Sequence, residues 1–236
     1  MQTRFVLFSA ALAFTASLAA CKDSTTTPVA VLRPARALVR MGDQQRVTVA
    51  TVATDTLSIG VYAMDGAPVA GVTVQWSVAT GNGKVGANSS ITDASGVAVT
   101  TFTAGTTAGV NQISATVAGL DVVSFSETAL PGAPARLTAM IAPEDSVLAG
   151  ETLMGLGVRV LDQFGNSVPN VNITFSIVAP MDGDQLGVLT TTTNADGVAL
   201  DAFSAGGAVG QRTVTVTTDA NLSVTYLVDV LSASAN

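Results

Sequence analysis

The chain has 236 residues, 48% of them hydrophobic and 11% charged, with aromatics at 5%, so its apolar mass is aliphatic. Histidine is absent and cysteine occurs once, which removes intramolecular disulfides, most metal sites, and Ser–His or Cys–His nucleophile pairs. Two Lys and eight Arg against 17 acids give a net charge of −7, too few cations for a basic patch and no basis for nucleic-acid binding.

In chain order, the first segment is an address. Arg4 precedes an apolar run from Phe5 to about Ala16, and small residues follow, the layout of a secretory signal over residues 1–20. The alternative of a buried core helix lacks both an amphipathic period and a cap. Leu18-Ala19-Ala20-Cys21 resembles the lipobox of bacterial lipoproteins and holds the chain's sole thiol. The resemblance implies cleavage before Cys21 and acylation of its sulfur and amine, with two or three chains giving a stable membrane anchor. An ordinary signal with a stray Cys is the other reading. Lys22 rather than Asp follows the Cys, which in proteobacterial lipoproteins points to the outer membrane. Removing residues 1–20 leaves nine cations, a mature charge of −8, and residues 21–31 read as a short lipidated tether.

The remainder is one unit written twice. Pro34-Ala-Arg36 recurs as Pro134-Ala-Arg136, and Leu57, Ile59 and Val61 recur as Leu156, Val158 and Val160. The run Val72, Val74, Trp76, Val78 recurs as Val171, Ile173, Phe175, Ile177, a shift of 99; from Asp93 onward the shift is 101. The drift marks an insertion in the second copy, opposite residues 79–92 of the first. Period-two alternation, with Thr73, Gln75 and Ser77 facing away from Trp76, predicts strands, and Gly turns at Asp65-Gly66, Asn82-Gly83, Asp182-Gly183 and Asp196-Gly197 separate them. About seven short strands per copy predict an all-β chain of two tandem sandwiches, at 32–130 and 131–236, with a closed barrel as the alternative. The joint is Leu130-Pro131-Gly132-Ala133-Pro134, where two prolines forbid strand pairing and restrict bending.

Leu161-Asp-Gln-Phe-Gly-Asn-Ser-Val-Pro-Asn-Val-Asn-Ile-Thr-Phe-Ser-Ile177 and Thr193-Asn-Ala-Asp-Gly-Val-Ala-Leu200 resemble group 1 bacterial Ig-like domains, the type found in invasin and intimin. The first copy departs from that pattern, with Ala63 for the Asp and Asp93-Ala-Ser-Gly96 for the turn. The resemblance implies an Ig-like sandwich without a disulfide, used on bacterial surfaces as a spacer or in adhesion. No barrel precedes the repeats and no lectin-like tip follows them in this sequence, so the adhesin role does not transfer with the fold.

Other motifs have structural readings beside their chemical ones. Gly81-Asn-Gly-Lys-Val-Gly86 has dinucleotide-site spacing, but no helical period follows it, and a hairpin loop is expected. Asp162, Asp182, Asp184 and Asp196 could offer oxygens to calcium, yet suit solvated turn positions equally. Glu127, Glu144 and Asp145 are expected on loops and strand edges. Trp76, in phase with its Val neighbours, is expected in the core rather than stacking on a sugar. Tyr62, out of phase with Ile59 and Val61, is the exposed aromatic. Thr100, Thr213, Thr215 and Thr217 are expected on outward faces. No catalytic residue, cofactor or metal is assigned. The expectation is a lipid-anchored envelope protein whose partners are the membrane and an unidentified protein or carbohydrate. A periplasmic accessory role is the second reading and a carbohydrate-active protein the third. Cys21→Ser is expected to move the protein from sedimented membranes to the soluble fraction; retention in the pellet at high salt would show that the thiol does not carry the anchor.

Overall fold

The computed structural model describes residues 32–142 and 144–232; the signal over residues 1–20, the tether at 21–31 and the lipobox of Leu18, Ala19, Ala20 and Cys21 lie outside them. The first copy contains β1 (Arg36–Met41), β2 (Arg46–Thr48), β3 (Leu57–Tyr62), β4 (Thr73–Thr80) and β5 (Lys84–Val85). It continues with β6 (Ser89–Ile91), β7 (Val97–Thr100), β8 (Phe102–Thr103), β9 (Gly109–Val117) and β10 (Val123–Leu130). The second copy contains β11 (Arg136–Ala139), β12 (Glu144–Leu148), β13 (Thr152–Leu161), β14 (Asn172–Val178) and β15 (Gln185–Leu186). It ends with β16 (Thr190–Thr192), β17 (Val198–Ser204), β18 (Gly210–Thr218) and β19 (Ser223–Leu231). The chain is all-β, and its architecture is two Ig-like sandwiches in tandem.

In the first sandwich the sheet β1-β3-β7 faces the sheet β2-β10-β9-β4-β6; the second repeats this as β11-β13-β17-β15 against β12-β19-β18-β14-β16. In each, the opening segment is shared between sheets. β1 pairs antiparallel with β3 while β2 runs parallel to β10, and β12 runs parallel to β19 in the same way. Alternation then does the rest, because every second side chain of a strand shares a face. Leu57, Ile59 and Val61 face Val74, Trp76, Ile113 and Phe125, all at most 2% exposed, and Leu156, Val158 and Val160 face Ile173, Phe175, Val214 and Val216. The two buried clusters share no residue. Trp76 lies in the core as its phase predicts, 5.9 Å from the Phe125 ring, and its Nε1 donates to Ser90 Oγ at 2.8 Å.

Two devices recur in both copies. Thr92 Oγ1 donates to Val69 O and accepts from Val72 N, and Thr193 does the same with Val168 and Val171. Each buried hydroxyl thereby satisfies backbone groups that leave the ladder at a strand entry. The Asp93 and Asn194 side chains each accept two backbone N–H groups of the following turn, which closes at Gly96 and Gly197. Those glycines have φ of +72° and +69°, and a Cβ would stand 2.7 Å from Val61 O or Val160 O, so no other residue fits.

Two surface expectations fail, at Thr100 and Glu127. Thr100 is 4% exposed, because its Oγ1 exchanges hydrogen bonds with the backbone of Ala87 on the segment that crosses it. Thr213, Thr215 and Thr217 do take the outward face of β18, half-buried and alternating with the buried Val214 and Val216. Glu127 is no edge residue: it faces inward on β10, fully buried, opposite Asn111 on β9. Glu144 and Asp145 do open an edge strand, β12. Glu127 Oε2 accepts from Gln45 N at 2.8 Å, whereas Oε1 has no partner. Burial above all, reinforced by the nearby Asp43 charge, pushes its carboxyl from 4.5 up to about 7 against the Gln45 N–H that favours the anion.

The folded chain therefore holds a proton on Glu127 that the unfolded chain releases above pH 4.5. This contribution is fully present below that value and is lost as pH rises through about 7. Urea unfolding should show the wild type losing up to about 3 kcal/mol between pH 4.5 and neutrality, and Glu127→Gln should flatten that slope; an unchanged slope would assign the dependence to other groups.

Candidate functional site

Of the acids that sequence reasoning placed in solvated turns, Asp162 lies instead at the joint between the sandwiches. After β13 the chain turns through Asp162–Asn166, and the turn closes with Asp162 N donating to Asn166 O at 2.9 Å. Asp162 is fully buried. Its Oδ1 accepts from Phe164 N at 2.8 Å and Asn166 N at 2.9 Å; its Oδ2 accepts from Gly132 N and Asn166 Nδ2, both at 2.8 Å. Burial opposes ionisation here, but these four hydrogen bonds outweigh it and hold the carboxyl below its ordinary range.

Asn166 extends the arrangement across the boundary. Its Oδ1 accepts from Ala108 N at 2.8 Å and its Nδ2 donates to Thr106 O at 2.9 Å, both on the loop between β8 and β9 of the first sandwich. That loop is fixed from behind by Asn82 Nδ2 donating to Thr107 Oγ1 at 2.9 Å. One turn thus holds the linker through Gly132 and the preceding sandwich through Asn166. The first copy keeps the same backbone closure, Ala63 N to Ala67 O, but Ala63 and Ala67 stand where Asp162 and Asn166 would be.

The insertion in the second copy carries a second buried charge. Asp184 Oδ2 meets Arg212 Nε at 2.5 Å, with the side chains 0% and 1% exposed, and its Oδ1 accepts from Gly206 N at 2.9 Å. Burial disfavours the charge on Asp184, yet the Gly206 N–H and Arg212 hold its carboxyl below the usual range. Arg212 occupies the place that Asn111 takes in the first copy, where Asn111 Oδ1 accepts from Gly83 N at 3.0 Å. Neither Asp162 nor Asp184 is a solvated turn acid: both spend their oxygens on the fold. Asp182 and Asp196 are exposed. The expected hairpin loop is not formed: Gly81–Gly83 turns the chain from β4 into β5, which pairs with β8 and not with β4.

Tyr62 lies on the outer face of the three-stranded sheet of the first sandwich, half-buried, where Arg40 Nη1 donates to its Oη at 3.0 Å. A shallow apolar opening beside β14 is lined by Ile177, Pro180, Leu186 and Leu189; the same place on the first sandwich carries Lys84 and Asn88. The sequence revealed the Asp-x-x-Gly-Asn spacing but not its role, because the partners of Asn166 are backbone atoms 58 and 60 residues away.

No protein-family model and no curated protein matches the chain. Among solved structures, Yersinia pseudotuberculosis InvD matches with a TM-score of 0.55 at 20% identity, over 81% of this chain and 56% of that one. The Escherichia coli adhesin FdeC matches with a TM-score of 0.49 at 18% identity, over 83% of this chain and 63% of that one. Invasin, a bacterial integrin-binding protein, matches with a TM-score of 0.39 at 26% identity, over 84% of this chain and 39% of that one. The chain spans 58% of the length of Yersinia pseudotuberculosis adhesin InvE. The fold, an array of all-β sandwiches, is shared with Yersinia pseudotuberculosis InvD.

Asn166→Ala deletes both bonds to the first sandwich and leaves the cores untouched. Spin-label distances measured between the sandwiches should broaden, while the unfolding free energy falls by only about 1–3 kcal/mol; an unchanged distribution would show that the linker alone sets the joint.

Proposed function

We propose that the chain is a lipid-anchored cell-envelope protein whose two Ig-like sandwiches, at 32–130 and 131–236, act as a surface adhesion or interaction module or as a spacer. The observation that carries this reading is the joint at Asp162 and Asn166. Six hydrogen bonds there fix the turn, the linker and the neighbouring loop. Such an arrangement suits a protein that must present a surface in a set orientation. The carboxylates a hydrolase would use point the same way, since those of Asp162 and Asp184 are committed to structural bonds and that of Glu127 is enclosed in a core.

Cys21 supplies the anchor, and Lys22 favours the outer membrane as the destination. The likeness to adhesin structures supports a place on the cell surface; what those proteins bind is not carried over, because the likeness is one of fold. Exposed loops and the unequal openings beside β4 and β14 offer contact surfaces for a protein or carbohydrate. A structural accessory of a periplasmic complex is the second reading, and it shares the anchor and the joint.

Protease shaving separates the two. Digestion on intact cells, with lysed cells as control, should remove the sandwiches if they face outward; survival until lysis would place them in the periplasm and end the adhesion reading.

A further inference from the structure

We infer that the outer face of the β1-β3-β7 sheet is a docking surface for the anionic headgroups of the membrane that carries the anchor, an inference that rests on the lipid-anchored reading above. On β1 Ala37 packs against the first core, which turns Arg36 and Leu38 outward; Arg40, also exposed, sits where the pairing with β3 slips between Val39 and Met41. Tyr62 is the cross-strand partner of Arg36, and Gly60 that of Leu38. With no side chain at Gly60, the Tyr62 ring folds back along the sheet; a Cβ there would lie 2.6 Å from the tyrosine Oη. The ring then gathers both guanidinium groups. Arg36 Cζ sits 5.5 Å from its centroid, and Arg40 donates to its hydroxyl. Leu38 and Val99, 49% and 48% exposed, add aliphatic surface to the face.

These cations are unspent. The one ion pair among the described residues joins Arg212 to Asp184, so neither Arg36 nor Arg40 is ion-paired to a carboxylate of the described residues. Asp65, in the turn after β3, instead accepts from Ala67 N at 3.0 Å. Exposed Arg33 stands just before the strand, and from Ser24 to Gly42 the sequence has three Arg and no acid. In a chain of net charge −7 the placement is directional: an anionic surface repels the molecule elsewhere and attracts it here. The occupant follows from continuity with the anchor. Fourteen residues lie between Cys21 and Arg36, at most about 54 Å of chain, so the face is held within reach of the headgroups. Guanidinium groups recognise phosphate, and a tyrosine beside exposed aliphatic carbon suits the headgroup level.

The test uses the mature chain with Cys21→Ser, which carries no acyl group and so reads the face alone. It should sediment with vesicles containing phosphatidylglycerol at low ionic strength and not with phosphatidylcholine vesicles. Binding should vanish near about 1 M salt, where the Debye length is about 3 Å. Each basic residue near an anionic surface is worth roughly fivefold in partitioning, so Arg36→Gln with Arg40→Gln should weaken binding roughly 30-fold. The thermal midpoint of that double variant should match the parent, which keeps misfolding out of the comparison. Equal binding to neutral vesicles, or an unaffected double variant, would overturn the inference. Self-association without vesicle binding, abolished by the same substitutions, would overturn it too and make the occupant the acidic surface of a second copy. Failure of the anchor itself shows separately, as retention of the Cys21→Ser chain on cell membranes washed at about 1 M salt, where the face no longer binds.

Discussion

A single carboxylate organises the middle of this molecule. Asp162 is enclosed, so its charge survives only because four N–H groups converge on it, and those groups belong to three different tasks. Two shape the turn itself, one captures the linker at Gly132, and one orients the Asn166 amide. The amide, so oriented, presents its oxygen and nitrogen to the backbone of the neighbouring loop. Burying an ion is expensive unless its lone pairs are satisfied, and that same requirement makes the arrangement specific. A shifted linker or a rotated sandwich would leave a buried anion short of a donor.

The sheets themselves are legible in the sequence because alternation and turn chemistry are local. Val74 and Trp76, or Ile173 and Phe175, announce an inward face within a handful of residues, and the internal repeat multiplies each signal. Trp76 illustrates the point, since its phase alone distinguishes a core ring from an exposed one. Side chains whose neighbours come from far away are illegible on the same terms. Asp162, Asp184 and Thr100 look like surface residues by type, and each is covered by a segment that sequence spacing does not place. Tyr62 was recognisable as off-phase, but its two arginine companions depend on a strand pairing and on the missing side chain of Gly60.

Comparison of the two copies shows how a buried polar position is traded. In the first sandwich Asn111 and Glu127 stand opposite each other, while in the second Arg212 stands opposite Val228. A guanidinium at that depth requires a counter-ion, and the longer loop between β14 and β15 delivers Asp184 to provide it. The insertion and the arginine are therefore one change. Removing either partner would strand the other's charge, at a cost of about 3–5 kcal/mol. The drift in repeat spacing, a purely numerical feature of the sequence, is the trace of this electrostatic coupling.

The joint also has a direction. A loop between β8 and β9 receives, and an asparagine after β13 of the following unit inserts; the two halves are not interchangeable. Ala67 leaves the leading sandwich without the inserting half, whereas the trailing sandwich still has a loop, around Gly207, in the place where the receiving half stands. Growth of such an array by gene duplication is accordingly one-sided: copies of the second unit can be threaded on after one another using the same contact, while a unit placed ahead of the first would dangle. Longer arrays built on this rule would have to extend from the trailing sandwich, which keeps the receiving loop, and not from the leading one.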